Sequence, residues 1–168
     1  GGLESYHFKV AHRKTIGPYF EDNLSSYQML GDHIRSVLMR SSMHTLKDLP
    51  PSQWRLRDHA NIIYTFFPTT QLLVQQDHIV WINSRPVSAT ETELRLVTLA
   101  PTSRLDEHEY WDRNHRITSN TLNEDFVIGE SIQTGLATGA NEHMTFGRFE
   151  GALPEFNRVV KRYTSAQA

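Results

Sequence analysis

Apolar and polar residues alternate with a two-residue period in several short stretches of the first two thirds of the chain, a pattern typical of β-strands. Six segments bounded by turn residues are predicted to be strands: 27–30, 34–39, 62–67, 71–75, 79–83 and 92–99. After Pro101 the apolar spacing becomes helical, which predicts a long helix over about 105–136 and a closing helix over 151–163. Strands followed by long helices indicate an α+β fold with an antiparallel sheet.

Three further segments are predicted from local signals. We expect a helix over 2–13, a loop over 15–23 because of Gly17-Pro18, and a short helix over 52–59. Both faces of the strand 34–39 carry apolar residues. The sheet is therefore expected to be covered on one side and to line a cavity on the other.

Composition limits the classes of function. With 168 residues the chain is long enough for one domain with a real core. Its net charge of −2 predicts neither nucleic acid nor an anionic membrane as a partner, and no apolar run approaches the roughly 20 residues that span a bilayer. The sequence shows no secretory signal, so we expect a cytoplasmic protein. There is no cysteine, which excludes disulfides and thiolate metal sites within this sequence.

Two histidines near the start are candidate metal ligands. His7 and His12 stand five residues apart, with Glu4 three residues before the first. A regular helix would set the two imidazoles roughly 140° apart, so they could share a metal only across an overwound or bulged turn. The alternative is two unrelated helix histidines.

A carboxylate far downstream lies on an apolar helix face. Asp125 is beside the stripe that Leu122, Phe126, Gly129 and Leu136 form at helical spacing. A buried carboxylate needs a cation, which is either an arginine or a metal. Two histidines and one carboxylate form the facial triad of non-haem Fe(II) oxygenases, so Asp125 is a candidate third ligand.

Three motifs in order resemble the α subunits of Rieske non-haem iron aromatic-ring-hydroxylating oxygenases. The first is Glu-Ser-Tyr-His-x4-His at 4–12, which is similar to that family's [DE]-x-Tyr-His-x4-His segment. The second is Glu124-Asp125 with Glu130-x2-Gln133-x-Gly135-Leu136, which resembles its late acidic helix. The third is the stretch 147–153 followed by Phe156, which resembles its closing helix. The resemblance extends over nearly the whole chain.

The resemblance implies a helix-grip fold of the Bet v1-like or START-like kind, a curved antiparallel sheet packed on a long C-terminal helix. It implies that His7, His12 and Asp125 hold one mononuclear Fe(II). It also implies that Glu4 is a catalytic electron-transfer bridge, hydrogen bonded to a histidine of a Rieske cluster on a neighbouring subunit of a homotrimer. The substrates would be dioxygen and an aromatic or related small organic compound. Electrons would come from NAD(P)H through a reductase or ferredoxin and the two-iron two-sulfur cluster.

A Rieske cluster requires two cysteines and two histidines, and this sequence has no cysteine. We therefore expect residues 1–168 to be a single catalytic domain, truncated at its N-terminus and lacking the upstream Rieske domain. Two other functions stay open: a non-catalytic small-molecule carrier of the same fold, and a zinc-dependent hydrolase, because zinc accepts the same ligands.

Substrate-pocket residues and the other histidines can be assigned only by residue type. Met39, Phe66, Phe67 and Leu96 are the pocket candidates. His108 and His115 are predicted to lie on a solvated helix face. The remaining histidines are predicted to be surface residues: His33, His44, His59, His78 and His143.

Overall fold

A sheet of six strands and one long helix frame the molecule. The structure is a computed structural model that describes residues 3–140 and 143–165. The strands are β1 (Phe20–Leu30), β2 (His33–Arg40), β3 (Ala60–Phe66), β4 (Thr70–Val74), β5 (Ile79–Pro86) and β6 (Thr92–Leu99). The α-helices are α1 (Phe8–Ala11), α2 (His108–Ala137) and α3 (Ala152–Ser165). Single turns of 3-10 helix stand in the connections at Gly17–Tyr19, Pro51–Gln53, Leu56–His59 and Thr102–Arg104, and a longer 3-10 segment spans Ser41–Asp48.

The strands follow one another in chain order, each antiparallel to its neighbour. The tight turn between β1 and β2 has Gly31 at φ 65°, a left-handed conformation that a residue without Cβ adopts at little cost. The register of β1 against β2 shifts between Phe20 and Ser25. Such an irregularity bends a strand, which helps to curve the sheet around the cavity.

One face of the sheet, here called the inner face, carries the core. In β2 the buried residues Ile34, Ser36 and Leu38 alternate with residues that are only half-buried. Their partners across β3 lie on the same face, because directly paired residues of antiparallel strands point the same way. Leu38 and Ile63 pack there with Phe8 and Phe20. Burying a side chain of this size contributes about 1.5–3 kcal/mol, so this cluster holds the N-terminal segment on the sheet.

α3 covers one end of the inner face. Phe67, just after β3, stacks on Tyr163 with ring centroids 5.1 Å apart. The Tyr163 hydroxyl donates to Asp32 Oδ2 at 2.5 Å, and Arg162 pairs with the same carboxylate. At the start of α3, Gly151 lies so close to the Tyr27 ring that a Cβ would come within 2.9 Å of it. These contacts tie the closing helix to the β1–β2 turn.

α2 runs for 30 residues and packs on the sheet only through its first half. Trp111 and Thr121 are buried, whereas Val127 and Ile132 expose 68% and 52% of their surfaces. Neither α2 nor another helix in the described ranges combines the length and the apolar character needed to cross a bilayer.

The predicted α+β class, the antiparallel sheet and the two C-terminal helices are confirmed. Three predicted segments need correction. The helix expected over 2–13 is a single α-turn at Phe8–Ala11, and β1 already begins at Phe20 inside the segment predicted to be a loop. The helix expected over 52–59 is two separate 3-10 turns. At the N-terminal segment, the packing of Phe8 and Phe20 in the core sets the backbone, and local propensity is overruled.

Gly17 lets the carbonyl groups of Phe8 and His12 come close to its Cα, and this close approach leads to a first prediction. A Cβ at this buried position would lie 2.6 Å from the Phe8 carbonyl oxygen and 2.8 Å from that of His12. We expect Gly17→Ala to lower the free energy of unfolding by about 1–3 kcal/mol, because two backbone carbonyls must shift. The matched control is Gly129→Ala in the exposed part of α2, where a Cβ meets nothing within 4 Å.

The control should raise stability by about 0.5–1 kcal/mol, because alanine favours a helix interior. Urea unfolding of both variants measures the difference. Equal effects of the two substitutions would contradict the assigned role of Gly17.

Candidate metal centre and cavity

The segment 5–17 is a series of tight turns around α1, and it carries both N-terminal histidines. The Val10 N–H donates to the His7 carbonyl at 2.9 Å, a three-residue bond that winds the chain more tightly than an α-helix. The His12 N–H donates to the Phe8 carbonyl at 3.0 Å. The imidazole rings of His7 and His12 consequently lie with their centroids 5.1 Å apart.

Each of these imidazoles is held at Nδ1 by a carboxylate. His7 Nδ1 bonds to Oε1 of Glu4, whose side chain is buried. His12 Nδ1 lies 2.7 Å from Glu124 Oε2, which also accepts from the Thr15 hydroxyl at 2.7 Å. An ionised carboxylate only accepts hydrogen bonds, so each Nδ1 is the donor of its bond. A neutral imidazole protonated at Nδ1 presents the lone pair of Nε2, which is the form that binds a metal.

The pKa values of the two carboxyl groups agree with ionisation at neutral pH. Burial acts to raise the pKa of Glu4, but the hydrogen bond and charge of His7 and the hydrogen bond from the Tyr6 N–H together bring that pKa below its ordinary value. The hydrogen bond from Thr15, followed by that from His12, lowers the pKa of Glu124. Both groups therefore remain acceptors for the histidine rings.

The two Nε2 atoms face one carboxylate oxygen of α2. Asp125 Oδ1 lies 3.2 Å from His12 Nε2 and 3.8 Å from His7 Nε2. Each of the three residues offers one ligand atom, and these atoms lie within 4.8 Å of one another. His7 Nε2 is buried and has no hydrogen-bond partner among the described residues. An unsatisfied buried polar atom costs about 1–3 kcal/mol, and a bound metal ion would remove that cost.

A cavity of about 550 Å³ lies between the inner face of the sheet and α2. This volume suits a small organic molecule. Phe8, Phe20 and Ile63 contribute apolar wall, and His12 and Asp125 also line the cavity, so the candidate metal site opens into it. Positions of α2 that recur at helical spacing form the opposite wall: Tyr110, Asn114, Ile117, Thr121, Leu122 and Asp125.

The sequence model for the catalytic domain of the ring-hydroxylating alpha subunit matches residues 2–166. The chain belongs to this family. Comparison with curated protein sequences gives no match.

A solved member of the wider Rieske group has the same fold. The crystal structure of the quaternary ammonium Rieske monooxygenase CntA, in complex with an inhibitor, matches with a TM-score of 0.65 and 19% sequence identity. The match covers 95% of this chain and 43% of that chain, so the present chain spans less than half the length of that monooxygenase. At this identity the likeness concerns the fold alone, and it agrees with the predicted helix-grip arrangement of sheet and long helix.

The four residues predicted for the substrate pocket are not among those that line this cavity. Leu38 and Arg40 line the cavity, and Met39 between them points to the outer face because side chains alternate along a strand. Phe66 is on the outer face for the same reason and is 38% exposed. Phe67 packs instead on Tyr163 of α3.

Leu96 is the fourth of these candidates. It pairs with Ile82 and so faces the inner side, yet the cavity wall includes Ile82 without it. The apolar stripe proposed for the late part of α2 also needs correction. Phe126 and Leu136 each expose 40% of their surfaces, so the stripe is not buried beyond Asp125 among the described residues.

A second polar cluster of the cavity wall was missed because His78 was expected on the surface. His78 is buried, and its Nδ1 lies 2.8 Å from Asp77 Oδ1. Asp77 Oδ2 accepts from the Tyr110 hydroxyl at 2.6 Å and from Arg104 Nη1 at 3.1 Å. The one local sign of this cluster in the sequence is Asp77 followed by His78 in a hairpin. The other partners of Asp77, which are Arg104 and Tyr110, lie 27 and 33 residues away in sequence.

The role of Glu124 was also missed, although its motif was recognised. Its place beside Asp125 was visible, whereas its contact with His12 spans 112 residues of sequence. His44, predicted to be a surface residue, is exposed and lies 3.2 Å from Glu21 Oε1. His115 Nδ1 lies 3.0 Å from the Thr98 hydroxyl.

The Asp77 cluster generates a pH-dependent prediction. Burial acts to raise the pKa of Asp77, but the hydrogen bonds from Tyr110, His78 and Arg104 lower it from 3.8 to about 2. A lowered pKa means that the ionised carboxylate stabilises the fold above about pH 4, and that this contribution is lost as the pH falls toward 2. We expect Asp77→Asn to lower the free energy of unfolding by about 1–3 kcal/mol at pH 7.

The difference from wild type should shrink between about pH 4 and pH 2, measured by urea unfolding at each pH. Asp58→Asn, at an exposed position before β3, is the control and should change stability by less than about 0.5 kcal/mol. A gap between Asp77→Asn and wild type that stays constant down to pH 2 would exclude the proposed hydrogen-bonded carboxylate.

Proposed function

We propose that residues 1–168 form the single catalytic domain of a Rieske-type oxygenase in which His7, His12 and Asp125 bind one Fe(II). The reaction would hydroxylate an aromatic or related small organic substrate with dioxygen. The observation that carries this proposal is the convergence of two Nε2 lone pairs and one carboxylate oxygen at the wall of a ligand-sized cavity. The buried Nε2 of His7, which has no hydrogen-bond partner in the described part of the chain, supports a metal in preference to an ordinary ion pair.

The residues of this chain would hold and orient the reactants. Glu4 and Glu124 fix the imidazoles in the Nδ1–H form, so that both Nε2 atoms stay directed at the metal position. The ring of Phe8, beside His12, offers the substrate an apolar surface next to that position. A facial set of three protein ligands would leave coordination positions for dioxygen, and the iron would supply its reductive activation.

Electron supply would come from outside these residues. We propose that a Rieske cluster delivers electrons from NAD(P)H by way of a reductase or ferredoxin, in a homotrimeric cytoplasmic enzyme. Glu4 would form the bridge to that cluster, since its carboxylate already contacts His7. The burial of Glu4, at 6% exposed, suits a fixed path better than a surface charge would.

The ligand set is tested by metal loading. We expect wild-type protein to retain one iron per chain after anaerobic incubation with Fe(II) and removal of excess metal. His7→Ala, His12→Ala and Asp125→Ala should each lose most of it, because two ligands hold iron poorly. His108→Ala, at an exposed position of α2, is the control and should bind as wild type does.

Two results would contradict this proposal. Full iron retention by all three variants would exclude these ligands. Tight binding of zinc with no retention of iron would favour a zinc hydrolase. With iron bound, isotope-labelled hydrogen peroxide brings oxygen and both electrons together, and transfer of the label to an aromatic probe would support oxygenase chemistry.

The carboxylates behind the histidines give a separate prediction. We expect Glu124→Gln to weaken Fe(II) binding about 10- to 100-fold, because an amide can present its NH2 group and let His12 adopt the other tautomer. Glu4→Gln should act in the same direction through His7. Glu130→Gln on the exposed part of α2 should leave binding unchanged. Titration calorimetry under anaerobic conditions measures the affinities, and wild-type affinity in both variants would show that these carboxylates do not orient the ligands.

A further inference from the structure

Arg40 places a positive charge in the cavity wall. It ends β2 on the inner face, two residues after the buried Leu38, and it is among the residues that line the cavity. Its guanidinium carbon lies 5.5 Å from the centroid of the Phe20 ring. Its Nη1 donates to Gln76 Oε1 at 3.2 Å. The side chain is therefore held by a ring and an amide.

Arg40 has no carboxylate within 4 Å among the described residues, in contrast to Arg104, which pairs with Asp77 and Glu107. Asp77 is near enough to attract it, but the Asp77 oxygens already accept from His78, Tyr110 and Arg104. The half-buried guanidinium thus keeps most of its five N–H donors without a protein acceptor in the described ranges. Removal from water also lowers the pKa of Arg40, which is the mark of a desolvated charge.

We propose that Arg40 binds the carboxylate of the substrate, so that the enzyme acts on an organic acid. This inference rests on the proposed oxygenase function of the same cavity. The planar guanidinium offers parallel N–H groups that match the two oxygens of a carboxylate. A half-buried arginine lacking a partner carboxylate is costly in the free protein, and an anionic ligand compensates that cost.

The positions of the aromatic rings orient such a ligand. The Phe8 ring lies 5.6 Å from the His12 ring, and the Phe20 ring lies 5.0 Å from that of Phe8. The Arg40 guanidinium carbon in turn lies 5.5 Å from the centroid of the Phe20 ring. Successive contacts of two aromatic rings therefore link His12 to the guanidinium. The substrate would rest its apolar skeleton on Phe8 and Phe20, with its carboxylate distant from the carbon that reacts.

Direct binding tests this inference without turnover. The probes are two acids, hydrocinnamate and naphthylacetate, each compared with its own primary amide by titration calorimetry at neutral pH. We expect the wild-type protein to bind each acid at least about tenfold more tightly than the amide, since a hydrogen-bonded ion pair is lost in the amide. Arg40→Gln should abolish that preference. Arg40→Lys should retain part of it, because lysine keeps the positive charge but lacks the parallel N–H groups of the guanidinium.

The matched control is Arg35→Gln, on the same strand and on the opposite face, which should keep the full preference for acids. Melting temperatures establish that the variants are folded. Equal binding of acids and amides by the wild type, no binding of any probe, or a preference that survives in folded Arg40→Gln would each overturn the proposal.

The outcome is separable from that of the iron experiment. His12→Ala should lose iron and still prefer the acids, because Arg40 does not touch the metal ligands. A wild-type protein that binds iron but shows no preference for acids would refute the role of Arg40 alone. A preference for acids in a protein that never retains iron would refute the oxygenase and leave the anion site standing.

Discussion

The docking of the segment 5–17 on the sheet is the constraint on which the site depends. Phe8 inserts into the core between Phe20, Leu38 and Ile63, and the Gly17 N–H donates to the His12 carbonyl at 2.8 Å. These two contacts hold the ends of a turn that is too tight for a regular helix. Without them the two imidazoles would diverge, and α2 would have no paired nitrogens to meet with Asp125.

The cavity joins two polar regions through an apolar middle. Its wall beside the candidate metal site contains His12 and Asp125, and its other polar region contains Arg40 and the hydrogen-bonded Asp77. Polar groups in a cavity wall lower the stability of a fold, because they take the place of apolar groups that would be buried there. The hydrogen bonds to Asp77 limit that loss of stability. Among the described residues, His7 Nε2 has no hydrogen-bond partner and the Arg40 guanidinium has no hydrogen bond besides that to Gln76. The proposed ligands would offset both costs, so that stability would be exchanged for binding.

The family and the fold do not by themselves specify the chemistry of the site, which depends on individual residues. A curved sheet gripping a helix encloses a cavity in proteins of many functions, and the likeness to CntA at 19% identity concerns that scaffold. Family membership adds the expectation of oxygenase chemistry. The residues that would distinguish one substrate from another, such as Arg40, lie on strand positions that the shared motifs do not cover.

What the sequence determined by itself was the order of elements and the local motif around the histidines. The alternation of β2 and of β6, whose predicted bounds of 92–99 agree with the structure, depends only on neighbouring residues. The Glu-x2-His spacing likewise places Glu4 against His7 within one turn.

Only the tertiary structure decided which face of each strand meets the cavity. A two-residue period separates Leu38 from Met39 but does not say which of them is inside, and in the structure Leu38, not Met39, lines the cavity. The tertiary structure also decided the partners of His12 and of Asp77, which are distant in sequence. Patterns of neighbouring residues reflect the backbone hydrogen bonds that form between residues close in sequence. The choice between faces and the meeting of distant side chains depend on how the whole sheet closes on α2, and this is a property of the packed chain.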